Sequence, residues 1–309
     1  MVEGMDLLAA FLHATVRTAT PLAIAALGEA LAERSGVINV GLEGVLIVGA
    51  FAAAALGAEA GLLVGYAGAV IAGAALAVFL GVFVLAVKAD QIVTGAAITA
   101  GALGITAVLN RTVFGTTGAA LTVPTSTALE LPILSSLPLL GPTLFRQSFP
   151  TYLLFPLVPA VWVLLFRTKF GLLLRASGDS PIAVTSAGYD PNRLRWTALV
   201  LAGALGGLAG ATLVLSQVGT FAEGMSAGRG FIVLAIVALG RWHPVGVVLA
   251  SLLFGGSSAL QYLAQAAGLR LPYQAFLALP YLLTLVVLAQ AGRAQRAPLW
   301  LGRRLASSS

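Results

Sequence analysis

Leu62-Leu-Val-Gly-Tyr-Ala-Gly-Ala-Val-Ile-Ala-Gly-Ala-Ala-Leu-Ala-Val-Phe-Leu-Gly-Val-Phe-Val-Leu-Ala-Val87 runs without a charged residue and stops at Lys88. A helix needs about 20 apolar residues to cross a hydrocarbon core about 30 Å thick, so this stretch points to an all-α, polytopic transmembrane bundle. The rest of the 309-residue chain agrees: 59% is hydrophobic and 9% charged, where a soluble domain carries about a quarter charged residues. A soluble enzyme and a disordered chain are both excluded. The 36 glycines suit helices that pack closely in lipid. With no cysteine there is no disulfide framework, thiol nucleophile or cysteine metal site. The net charge of +6 invites a nucleic-acid reading, but the basic residues sit between apolar runs, as orientation signals do.

Working outward from 62–87, nine segments qualify as spans: 10–31, 37–57, 62–87, 91–110, 151–166, 195–216, 227–240, 245–265 and 273–290. Segment 227–240 is short, either a brief crossing or half of a broken helix, so the count lies between eight and ten. The first segment lacks the basic leader of a cleavable signal peptide, since Glu3 and Asp6 precede it. The connection 167–195 carries Arg167, Lys169, Arg175, Arg193 and Arg195, and the tail 291–309 carries Arg293, Arg296, Arg303 and Arg304. Placing both in the cytoplasm requires an even number of crossings between them, and four candidates lie there. Nine crossings then set the N-terminus outside and Arg34, Lys88 and Arg241 inside. Segment 111–150, with Pro124, Pro132, Pro138, Pro142 and Pro150, becomes an irregular external loop. It either meets a partner or caps a path, or it is a plain connector. The chain reads as one transmembrane domain over 1–309.

Several chemistries are missing. No G-x-x-x-x-G-K-[ST] occurs, so the chain has no P-loop for ATP. His13 and His243 are the two histidines, too few for a histidine metal cluster. His243, in Arg241-Trp-His-Pro244, reads as an interfacial turn residue. Gly203-Ala-Leu-Gly206-Gly207-Leu-Ala-Gly210 resembles a nucleotide loop in composition, but it lies inside an apolar span. Its glycines fall four apart on helical faces, which is small-xxx-small packing.

Ionisable residues at membrane depth are expensive and mark functional positions. Glu43, in Asn39-Val-Gly41-Leu-Glu43-Gly44, lies just inside the second span between two glycines. A helix broken there exposes backbone groups able to hold a polar solute; alternatively Glu43 hydrogen-bonds a neighbouring helix. Glu223 and Arg229, in Phe221-Ala-Glu223-Gly-Met-Ser-Ala-Gly-Arg229-Gly-Phe231, precede the short seventh span from the opposite side. They form either an ion pair with each other or a solute contact. Two acid-bearing, glycine-interrupted spans approached from opposite sides suggest an inverted repeat. Gln91 and Thr94 open the fourth span and Asn110 closes it, and such groups suit a neutral hydrogen-bonding solute. Phe221, Phe231 and Tyr262 are available to stack on a flat ring. Depth and polarity thus nominate Asn39, Glu43, Gln91, Thr94, Phe221 and Glu223 for a translocation path.

The basic connection holds Gly178-Asp-Ser180-Pro181-Ile-Ala-Val-Thr185-Ser-Ala187-Gly188. Ser180 is a good N-cap, Pro181 fits the first helical position and Gly188 fits the residue past the end. That encodes a helix over 181–187, too short to persist alone in water. It needs a surface, either a cytoplasmic partner or the bilayer itself.

Leu31-Ala-Glu33-Arg34-Ser-Gly36-Val-Ile-Asn39-Val-Gly41-Leu-Glu43-Gly44 resembles the opening signature of ABC-type importer permeases of the branched-chain amino acid and simple sugar group. Arg175-Ala-Ser-Gly178-Asp-Ser-Pro181…Ala187-Gly188 is similar to that group's coupling element. Gly228-Arg-Gly230-Phe231…Gly240-Arg-Trp242…Pro244 is similar to its late signature. The match runs in order over most of 28–290, and within the group it most resembles the nucleoside (guanosine-type) uptake permeases. The resemblance implies a second, homologous permease subunit, a cytoplasmic two-cassette ATPase and an external substrate-binding lipoprotein, all at the plasma (cell inner) membrane. It implies no cofactor on this chain, with ATP and Mg on the partner ATPase. Ser180, Pro181, Thr185, Ala187 and Gly188 would then form the coupling helix, with Thr185 standing where such loops often carry an acid. Competing readings are a simple-sugar permease of the same group, an ATPase-independent secondary transporter and a non-transporting membrane scaffold.

Overall fold

The computed structural model describes residues 2–115, 123–130, 140–266, 278, 282 and 297–303. Eleven helices are found among them: α1 (Val2–Arg34), α2 (Leu42–Ala60), α3 (Leu62–Gly81), α4 (Gln91–Phe114), α5 (Leu140–Leu144), α6 (Phe149–Arg167), α7 (Lys169–Asp179), α8 (Pro181–Ser186), α9 (Pro191–Thr212), α10 (Arg229–Leu239) and α11 (Pro244–Ala266). α3 and α9 each run on through one wider π-type turn, Val82–Ala86 and Leu213–Val218. A two-residue antiparallel ladder pairs β1 (Leu129–Glu130) with β2 (Arg146–Gln147).

Seven helical segments are long and apolar enough to cross a membrane, and Arg229–Leu239 is a shorter apolar helix. Its 11 residues rise about 16 Å, roughly half a hydrocarbon core. Of the two readings of 227–240, the broken half-helix is therefore the one found. The ninth expected span, 273–290, lies outside the described residues apart from 278 and 282. Two further segments depart from expectation. α4 continues past 110 to Phe114 and carries Arg111. The basic connection holds a second helix, α7, whose Thr168 side chain accepts the Gly171 N–H; its basic residues signal a cytoplasmic loop and mask a capped helix.

The starts of α4 and α9 follow the side chains that precede them. Asp90 accepts both the Ile92 and Val93 N–H groups at 3.0 Å, and Asp190 accepts that of Asn192 at 2.8 Å ahead of Pro191. Each satisfies donors that a helix N-terminus leaves open.

α9 is the hub, packing broadly on α1, α2 and α3, while α1 also lies along α11. The glycine run makes this possible. A methyl at Gly73 of α3 would lie 2.7 Å from the Gly207 Cα, and one at Gly49 of α2 would lie 2.6 Å from the same atom. One α9 glycine therefore touches the backbones of two helices, as small-residue packing requires. Gly207→Leu is expected to cost about 3 kcal/mol of stability, read as a lower melting point of the detergent-solubilised protein. Gly101→Leu, at a position with nothing within 4 Å, is the neutral control.

Candidate functional site

Two stretches of broken backbone meet inside the bundle. The first is 35–41, between α1 and α2. α1 ends in a Schellman turn: Val37 N–H reaches Ala32 O, Gly36 N–H reaches Glu33 O, and Gly36 sits at φ +98°. The chain then turns back into the bundle, where side chains take up its backbone groups. Gln91 Oε1 accepts the Ile38 N–H at 2.8 Å, Glu29 Oε1 accepts the Asn39 N–H at 3.0 Å, and Thr99 Oγ1 donates to Val40 O at 3.4 Å.

The second stretch is 219–228, between α9 and α10, a run of bends and turns with Gly219, Gly224, Ala227 and Gly228 at positive φ. Glu43 closes it. Its two carboxylate oxygens accept the Gly228 N–H at 2.8 Å and the Gly230 N–H at 2.6 Å. The carboxylate thus caps α10 from α2, placing negative charge at the positive end of a helix dipole. Gly230 permits the approach, since a methyl there would lie 2.5 Å from the Glu43 Cα.

The far end of α10 is also held by α1. A second Schellman turn ends it, with Trp242 N–H to Val237 O and Arg241 N–H to Ala238 O. Arg241 and Trp242 stand at φ +56° and +54°, a conformation costing a non-glycine residue about 1–2 kcal/mol. Arg34 donates to both of their carbonyls, at 3.3 and 3.2 Å, and Trp242 Nε1 donates to Glu33. Successive residues of α1 therefore clamp the strained turn. His243 follows in this turn, its ring 5.2 Å from that of Phe166.

Of the six nominated path residues, Asn39, Glu43 and Gln91 are buried around these breaks. Thr94 is half-buried in the first turn of α4. Phe221 is buried edge-on against Phe51, with ring centroids 5.4 Å apart. Glu223 stands apart from this group. It is exposed and pairs with Arg111 of α4 at 3.0 Å rather than with Arg229. The Arg111 hydrogen bonds hold its carboxyl below the usual carboxylate range. Arg229 instead donates to the Met225 and Ser226 carbonyls. Phe231 is exposed, and the Tyr262 side chain lies outside the described ones.

Glu29, Glu33 and Thr99 were missed. The two acids stand four apart in Gly28-Glu29-Ala-Leu-Ala-Glu33, a signal of one shared helix face. Also overlooked was Gly224-Met-Ser226-Ala-Gly228, which has the spacing of a nucleophile elbow. An elbow needs a strand before it and an exposed hydroxyl, whereas Ser226 follows turns and is fully buried. Its Oγ, both polar atoms of the Asn39 amide and Glu29 Oε2 are buried and have no hydrogen-bond partner among the described residues.

A separate groove of about 380 Å³ lies between α1, α6 and α11, lined by Val16, Ala23, Phe155, Val158 and Leu252. Its two hydroxyls, Thr20 and Thr151, lie 3.1 Å apart and satisfy each other, so it lacks polar groups to orient a polar solute.

The basic end of the bundle carries α8. Ser180 Oγ accepts the Ala183 N–H, Gly188 takes φ +82°, and the Thr185 hydroxyl donates back to Pro181 O. Pro181 and Val184 are buried, while Ile182, Thr185, Ala187 and Gly188 are exposed. α8 thus rests on the bundle by one face and presents the other.

Glu43→Ala leaves the buried Gly230 N–H and the part-buried Gly228 N–H without acceptors, at about 1–3 kcal/mol for a fully buried donor. A fall in melting point larger than that of Glu43→Gln, which keeps one acceptor oxygen, is the expected outcome in detergent.

Residues 11–288 match the family described as the permease component of the branched-chain amino acid transport system. The guanosine ABC transporter permease protein NupQ of Bacillus subtilis is 32% identical over 98% of this chain and 100% of its own length. The nucleoside ABC transporter permease protein NupC of Lactococcus lactis is 34% identical over 87% of this chain and 88% of its own. The putative glucose ABC transporter permease protein TsgC13 of Haloferax volcanii is 33% identical over 93% of each. No solved structure matches the chain. The three stretches that resembled a permease signature are the ones that clamp each other at the broken helices, and the chain belongs to the family of branched-chain amino acid transport system permease components.

Proposed function

We propose that this chain is the membrane-spanning permease subunit of an ATP-driven importer that carries nucleosides into the cell. The observation that carries the proposal is the junction of two broken helices at Glu43. Around it, fully buried Asn39 and Ser226 keep polar atoms free for a neutral hydrogen-bonding solute. The names of two relatives, guanosine and nucleoside permeases, support the solute class. TsgC13, named a putative glucose permease, lends the sugar reading only weak support; a nucleoside contains a ribose, so hydroxyl-binding groups alone do not separate the two.

In this reading Asn39, Glu43, Gln91 and Thr94 border the path, with Phe221 packed behind it. Glu223 lies at its external mouth on the 111–150 side. The basic end, with Arg34, Arg195, Arg241 and the tail 291–309, faces the cytoplasm, following the bias of basic residues toward that side. α8 is the coupling helix. Its free face, Ile182, Thr185, Ala187 and Gly188, docks in a two-cassette ATPase that holds ATP and Mg. A second permease completes the membrane unit and an external binding protein delivers solute.

The test is uptake of labelled guanosine, adenosine, uridine and ribose by liposomes holding the complete complex, with and without ATP on the ATPase side. ATP-dependent nucleoside uptake supports the reading, ribose alone moves the chain to the sugar branch, and gradient-driven uptake by this chain alone overturns it. Ala187 is exposed and at φ −82°, so Ala187→Glu disturbs the docking face without straining the turn. It is expected to lower ATP-driven uptake about tenfold or more, and unchanged uptake removes the coupling role from α8.

A further inference from the structure

Arg195, near the start of α9, is 1% exposed and has no carboxylate partner among the described residues. Desolvating a guanidinium costs several kcal/mol unless its donors are met, so its contacts show what holds it there. Nε donates to Ser35 O at 3.1 Å and Nη1 donates to Arg303 O at 3.2 Å, while Nη2 is buried without a hydrogen-bond partner among the described residues. Ser35 belongs to the connection that leads to Asn39 and Glu43. Arg303 belongs to the segment 297–303 near the C-terminus.

That segment is itself tied twice. Trp300 N–H donates to Gly178 O at 2.8 Å, at the end of α7, and Gly302 N–H donates to Gly36 O at 3.1 Å. Ser177 of α7 adds a hydrogen bond to Ser35 O at 3.3 Å. Gly178 and Gly36 lie backbone to backbone, since a methyl at Gly178 would stand 3.2 Å from the Gly36 nitrogen. Both chain segments that flank α8 are thus fastened to Ser35-Gly36: α7 through Ser177, Gly178 and Trp300, and α9 through Arg195. From Gly36, three residues lead to Asn39, whose N–H is held by Glu29.

We propose that Arg195 and the strap 297–303 form the joint that passes displacement of α8 to the α1–α2 connection. Arg195 acts here as a positioning residue. Its planar guanidinium spans two carbonyls at fixed angles, which an ammonium cannot reproduce. When α8 moves, α7 and α9 move with it, and the joint obliges Ser35-Gly36 to follow instead of shearing past. The inference rests on the reading of α8 as the site of ATPase docking.

The experiment compares Arg195→Ala, Arg195→Lys and a deletion of 297–309 in the complete reconstituted complex. It measures assembly, ATP hydrolysis and nucleoside uptake in one preparation. In assembled complexes, nucleoside carried per ATP hydrolysed is expected to fall about tenfold for Arg195→Ala and for the deletion, with hydrolysis itself retained. Arg195→Lys restores part of the ratio, and combining Arg195→Ala with the deletion lowers it no further than either alone. If Arg195→Ala does not assemble, the deletion, which leaves all spans intact, decides by the same ratio. A wild-type ratio in an assembled Arg195→Ala or deletion complex overturns the joint while leaving α8 docking in place. Uptake by the unmodified complex that ignores ATP overturns α8 docking and the joint together.

Discussion

Hydrocarbon offers no hydrogen bonds, so backbone that leaves the helix inside a membrane must find its partners within the protein. Among the described residues the backbone leaves the helix inside the bundle at 35–41 and at 219–228, and side chains from neighbouring helices satisfy those breaks. Two carboxylates contribute: Glu29 of α1 holds Asn39 N–H at the first break, and Glu43 of α2 holds Gly228 and Gly230 at the second. Glu33 of α1 holds the indole N–H of Trp242 at the far end of α10. An acid within a membrane bundle is costly in isolation; directed at N–H groups, it replaces water that a bilayer cannot supply.

The bracing divides the molecule into stiff and yielding parts. α9 touches α2 and α3 through glycine at backbone contact, and such close packing leaves no slack for sliding. The yielding positions are the breaks, where polar contacts replace helical ladders and residues sit at positive φ. The turn at Arg241-Trp242 is strained, and it persists because Glu33 and Arg34 hold it from α1. Strain kept by contacts from another element is a feature of moving sites. Movement in this bundle is therefore expected as rigid pieces turning about 35–41, 219–228 and 241–243.

Much of this was legible in the sequence. Apolar runs located the long helices, and Ser180-Pro181 with Gly188 encoded α8 through capping chemistry that acts over a few residues. The spacing of Gly203, Gly207 and Gly210 predicted close helix packing. What escaped is long-range. The pairing of Glu223 with Arg111 joins residues more than a hundred positions apart, and local sequence favoured nearby Arg229. Glu29 and Glu33 escaped because their partners, the Asn39 N–H and the Trp242 indole, are brought to α1 by the folded chain and not by local sequence. α7 escaped because Arg and Lys mark loops as readily as they mark a capped interfacial helix.

The same geometry assigns different tasks to Glu43 and Asn39. Both are buried beside the break, yet Glu43 already spends both oxygens on Gly228 and Gly230. A solute competing for that carboxylate would have to uncap α10, leaving backbone donors stranded at about 1–3 kcal/mol each. Asn39 is free of that constraint. Its backbone is fixed by Glu29 and its amide keeps a donor and an acceptor without partners. An amide so placed can offer a paired donor and acceptor to the edge of a flat, neutral ring, as asparagine does with adenine. In the proposed path, then, Glu43 keeps the half-helix in register and Asn39 is the group equipped to read the solute.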